Sequence, residues 1–119
     1  MDETIGRITV APRVLLTVAR YAALEQPGVA RLARKVPPRP KRFRGRAATA
    51  RGVAVLVHNG RVTVEIHVVA DGTVNARDLG ESVQRAITSA MEEMVGMPVE
   101  SVHVYIDSVE PHPLATRSS

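Results

Sequence analysis

Two β-branched runs, Gly52 to Val57 and Arg61 to Ala70, flank the dipeptide Asn59-Gly60, and this arrangement restricts the fold more than any other feature of the chain. Asn-Gly best accommodates the two positive φ values of a type I′ turn, so the runs are expected to close into a hairpin. Val62, Val64, Ile66 and Val68 share one face of the second run, with Thr63, Glu65 and His67 on the other. One side of the ribbon therefore faces a core and the other can meet water.

Helical patterns lie on either side of the hairpin. Val14, Val18 and Ala22, with Leu15 and Ala19, recur at helical spacing after Pro12, which suits a first helical position; the spacing predicts a helix from about Pro12 to Glu25, ended by Pro27-Gly28. A second helix is expected after Asn75, an N-cap whose side chain can accept an early N–H, with Asp78 favourable in the first turn. Its apolar stripe runs through Leu79, Val83, Ile87, Ala90, Met91 and Met94 and stops at Gly96 and Pro98. Ile5 to Val10 reads as a short first strand and Val99 to Val109 as a last one, with Val102, Val104 and Ile106 opposite Ser101, His103, Tyr105 and Asp107.

The resulting order, β-α-β-β-α-β, implies an α+β fold with two helices on one face of a mostly antiparallel or mixed sheet. The ferredoxin-like arrangement is the first reading and a KH-like one the alternative. At 119 residues and 45% apolar, one domain spanning residues 1–119 is expected. Cys is absent, which suits a reducing compartment, and the acidic start Met1-Asp2-Glu3-Thr4 is followed by no secretory or membrane-spanning run; cytoplasm is the expected location.

The formal charge of +4 conceals an asymmetry. Nine of the sixteen basic residues lie between Arg31 and Arg51, where no acid occurs, and the remainder of the chain holds seven basic and twelve acidic residues. Pro37, Pro38 and Pro40 interrupt this stretch, so about 31–51 reads as a flexible basic loop without regular structure, and a disordered tail is expected from about 111. Arg34, Lys35, Arg39, Lys41, Arg42, Arg44 and Arg46, with Arg31 and Arg51 at the ends, are the candidate contacts for an anionic partner. That partner would be nucleic acid or an anionic lipid surface, and the plain alternative is a solvated loop. Phe43 is the single aromatic there, so base stacking has little support.

No set of residues composes an active site, and an enzyme acting on a small-molecule substrate is not expected. Gly52, Gly60, Gly72, Gly80 and Gly96 are scattered singly and form no phosphate loop, so no cofactor is implied. His58, His67, His103 and His112 lack metalloprotease spacing; His67 and His103 could approach with Glu65 or Asp107, but alternating polar residues on a wet strand give the same pattern, and no metal is expected. Ser101, His103 and Asp107 share a strand face, yet i and i+2 positions stand about 7 Å apart, too far for a nucleophile and its base. Glu92-Glu93 reads as the wet side of a helix.

With these residues in view, the chain resembles the alkaline-shock-protein family, the bacterial envelope stress response proteins. Gly6-Arg7-Ile8 leading to Val14, Val18, Ala19, Ala22, Ala23 and Gly28-Val29 is similar to the family's opening strand and helix. Gly52-Val53, the hairpin, Asp71-Gly72, the run Met91-Glu92-Glu93-Met94-Val95-Gly96-Met97, and Val99 with Val102-His103-Val104 are similar to its closing block. The resemblance brings no catalytic motif. It implies a cytosolic, stress-associated bacterial scaffold that associates with itself and, in some relatives, is held at the inner face of the membrane by a separate small anchor protein. The central loop departs from the family pattern in being more basic and richer in Pro.

Overall fold

The computed structural model describes residues 5–111, so the tail, His112 and the acidic first four residues lie outside the described residues. Its elements are α1 (Pro12–Leu24), β1 (Val29–Leu32), β2 (Arg46–Ala50), β3 (Val53–His58), β4 (Arg61–Asp71), α2 (Ala76–Ala90) running into a π-helical turn (Met91–Val95), and β5 (Val99–Glu110). The class is α+β, with two helices on one face of an open, mostly antiparallel five-stranded sheet.

The hairpin forms as its sequence requires. Asn59 and Gly60 take φ of 54° and 74°, and the register pairs His58 with Arg61, Val55 with Val64 and Val53 with Ile66. Those pairs put Val53, Val55, Val62, Val64, Ile66 and Val68 on one face, all fully buried beneath Leu15 and Ala19 of α1 and Val83 and Ile87 of α2. At about 25 cal/mol per Å² of apolar surface, this shared core is the main source of stability. Asn75 caps α2, its Oδ1 accepting from the Asp78 N–H at 3.0 Å.

β4 organises the sheet. β5 runs parallel to it along one edge from Val62 to Asp71, while the opposite edge is divided between β3, which pairs with residues 61–66, and β1, which pairs with 68–70. The changeover falls at His67: its N–H donates to the Gly52 carbonyl (2.8 Å), its carbonyl accepts from the Ala33 N–H (2.9 Å), and the Gly52 N–H donates to the Lys35 carbonyl (2.8 Å).

Three expectations are corrected. Ile5 to Val10 is not a strand; Ile8 is 94% exposed, and both edges of β4 are already occupied, so the first strand follows α1. The basic stretch is not without regular structure, because Leu32 ends β1 and Arg46–Ala50 forms β2 against β3, and Pro37 between them is buried. Met94 leaves the apolar stripe: the π-helical turn inserts one residue after Met91, so Met91 is fully buried and Met94 is 64% exposed.

Candidate functional site

The open face of the sheet carries a polar cluster centred on His67. Alternation along β4 places Glu65 and His67 on the side away from the helices, and the parallel register sets Tyr105 beside His67. His67 Nε2 lies 2.7 Å from Glu65 Oε2 and Nδ1 lies 3.1 Å from the Asp107 carboxylate, while the Tyr105 ring stacks on the imidazole at 4.5 Å and 10°. Partial burial lowers the His67 pKa, but the hydrogen bonds and charges of Glu65 and Asp107 outweigh it, and the net shift is upward from 6.5. When protonated, the ring can donate from both nitrogens to the two carboxylates and then has no lone pair for a metal or for general-base work.

His103 does not join it. Its Nε2 instead shares a hydrogen bond with Ser101 Oγ at 3.2 Å. This corrects the expectation that i and i+2 side chains on a strand stand too far apart, since both lean along the strand and meet; Glu65 and His67 do the same. Asp107 is taken by His67, so Ser101 and His103 lack the third member of a triad. Among the described residues no group of three or more His, Asp or Glu could hold a metal ion.

The outer edge of β5 is the second feature. Among the described residues β5 pairs with β4 alone, and its twelve residues include neither Lys nor Pro. Its three acids are all engaged inside the protomer: Glu100 with Arg61 (2.6 Å), Asp107 with His67, and Glu110 with Arg31 (2.9 Å). Gln84 Nε2 from α2 donates to the Val102 carbonyl (3.1 Å), while Tyr105 and Val109 are about half exposed, at 47% and 57%.

The basic residues do not gather on a single arm. Arg44 and Arg46 line a groove of about 770 Å³ at the hairpin end with His58, Val95 and Met97. Lys35 stands with Pro37 and Pro38 beside Glu65 and His67, so the Pro-rich connection crosses the open face, and Arg39, Lys41 and Arg42 are exposed along it. Phe43 sits at the hairpin end of that face with Leu56 and Thr63, its ring edge-on to His58. At the opposite end of the strands Arg31, Arg34 and Arg51 meet Arg20 of α1 around a cavity of about 310 Å³. Arg20 was not foreseeable from sequence, because only the packing of α1 over the sheet brings it there.

Two curated relatives and one solved structure are similar to this chain. The protein Spy1535 of Streptococcus pyogenes serotype M6 is 26% identical over 108 residues, 90% of this chain and 81% of that protein. YqhY of Bacillus subtilis is 23% identical over 109 residues, 92% of this chain and 81% of that protein. Among solved structures, a MamM CTD variant in its zinc form matches with a TM-score of 0.46 at 15% identity, over 88% of this chain and 90% of that one. No helix among the described residues is long and apolar enough to cross a membrane. Matched over residues 1–111, the chain belongs to the alkaline-shock-protein-23 family, whose function is related to the cell envelope.

Proposed function

We propose that this protein is a non-catalytic, stress-associated scaffold of the cell envelope that associates with itself through β5, and that it works in the cytoplasm at the inner face of the membrane. The observation that carries the reading is the neutralised edge of β5. Edge strands avoid pairing with other chains by presenting Lys, Pro or unpaired inward charge. β5 carries no Lys or Pro and each of its carboxylates already has a basic partner in the same chain, and the strand bulges against β4 only at Glu100 and Asp107. Two copies related by a two-fold axis would pair β5 antiparallel to its counterpart and extend the sheet, with Tyr105 and Val109 adding apolar area.

The other sheet edge is less suited to this use. β2 has five residues, begins at Arg46 and is followed by Arg51, so two copies would bring cations together. Light scattering coupled to size exclusion over a concentration series tests the reading. Dimers or larger assemblies that grow with concentration support it, and a strict monomer throughout rejects it. A separate anchor protein and an anionic membrane surface are the partners this scaffold would use for recruitment; pull-down from the native cell identifies the first.

A further inference from the structure

We infer that the cavity between α1, the end of β1 and the β2–β3 turn is a binding site for a phosphate ester. Arg20, Arg31, Arg34 and Arg51 line it, and no Asp or Glu does. Arg31 is committed to Glu110 at 2.9 Å, but Arg20, Arg34 and Arg51 have no carboxylate within ion-pair distance among the described residues. Three guanidinium groups without a carboxylate partner line one small cavity, and an entering anion would supply the charge they lack. The C-terminal end of α1 adds roughly half a negative charge nearby, which three full positive charges outweigh.

The clustering is built by the fold. The Gly52 N–H donates to the Lys35 carbonyl, and a Cβ at Gly52 would lie 2.7 Å from the Ala33 carbonyl oxygen. This close seating holds the Arg51 turn against the chain that bears Arg34, while α1 crosses above with Arg20 pointing away from buried Ala19 and Ala23.

Ligand class follows from size and lining. A cavity of about 310 Å³ sits at the small end of ligand sites, which run from about 300 to 1,000 Å³. Guanidinium forks bind phosphate oxygens in pairs. Leu24 and Leu32 supply an apolar wall for the organic part of an ester, and no aromatic ring lines the cavity to stack a nucleobase. The same chemistry is offered by a phospholipid headgroup and by a small soluble phosphate, and it is independent of pairing through β5.

The test uses the full chain at low salt with three probes: inorganic pyrophosphate by titration calorimetry, phosphatidylglycerol vesicles by flotation, and a single-stranded RNA oligomer by filter binding. Arg34→Gln with Arg51→Gln is compared with Arg39→Gln with Arg42→Gln, which removes the same charge outside the cavity. The cavity variant should weaken binding of whichever of the first two probes the wild type takes by about tenfold or more, and the control by less than about twofold. Pyrophosphate binding identifies a soluble phosphate ligand, and vesicle binding alone identifies the lipid headgroup. Should circular dichroism show the cavity variant unfolded, Arg20→Gln with Arg34→Gln replaces it. Binding of no probe, an equal loss in both variants, or binding only of the RNA oligomer overturns the assignment. Light scattering on the same variants reads self-association separately, and it should not change.

Discussion

The His67 N–H donates to the Gly52 carbonyl at 2.8 Å, and through this bond the long central strand passes from one edge partner to the next. Gly52 has φ of +77°, and an added Cβ would lie 2.7 Å from the Ala33 carbonyl oxygen and 2.9 Å from Leu32 Cβ. Both the backbone conformation and the contact exclude a side chain there.

Gly52→Ala should therefore destabilise the fold by about 1–3 kcal/mol, the usual cost of a residue held in a disfavoured backbone region. Urea denaturation followed by circular dichroism reads it. Unchanged stability would mean that the β1 and β3 ends are not clamped at this junction.

His67 makes stability depend on pH. Its pKa is raised in the folded state, so its contribution is fully present below the unfolded value of about 6.5 and is lost as pH rises through the folded value. The facing groups are Glu65 and Asp107, with Lys35 beside them and Tyr105 stacked on the ring. Wild type should lose stability between slightly acidic and slightly alkaline pH relative to His67→Gln. An NMR titration should place the His67 ring above the ordinary histidine value, and a value at or below 6.5 would contradict the cluster as described.

The π-helical turn after α2 separates two methionines that a regular helix would treat alike. Met91→Ala should cost about 2–5 kcal/mol as a large-to-small change in the core. Met94→Ala should stay within about 0.5 kcal/mol because its side chain is already solvated. Thermal melts of the pair distinguish this register from an uninterrupted α-helix.

At the other end of α2, Asn75→Ala removes the bond from the Asp78 N–H. A loss of about 1 kcal/mol is expected, and Asn75→Asp should retain most of the stability, since a carboxylate caps as well and complements the helix dipole.

Self-association through β5 predicts that Ser108→Lys with Val109→Lys shifts the assembly toward monomer. Lysine on an edge strand opposes pairing with a second chain. Both positions are exposed in the protomer, so the fold should hold. If light scattering finds the same assembly in this variant, the contact lies on another surface.

The local elements could be read from the chain because their causes are local. Asn59-Gly60 demands a tight turn, Asn75 with Asp78 starts a helix, Pro12 opens one, and strict alternation over residues 62–68 separates a buried face from a wet one. Family membership was legible for a related reason: glycines, turns and apolar periods recur in order along most of the chain. The stretch from 31 to 51 misled because Arg and Pro suppress local signals, while β1 and β2 are strands only where longer neighbours offer open edges.

What the amino-acid order determined by itself is thus the α+β class, the hairpin, both helices and the positive charge concentrated between Arg31 and Arg51. What tertiary packing alone decided is which strand takes which edge of β4, that His67 closes on Asp107 rather than meeting His103, and that Arg20 joins Arg34 and Arg51 around one cavity. The division has a physical cause. Turns and amphipathic periods follow from the preferences of neighbouring residues, whereas edge pairing and charge clusters join groups dozens of residues apart, whose proximity is set by the burial of the shared apolar core.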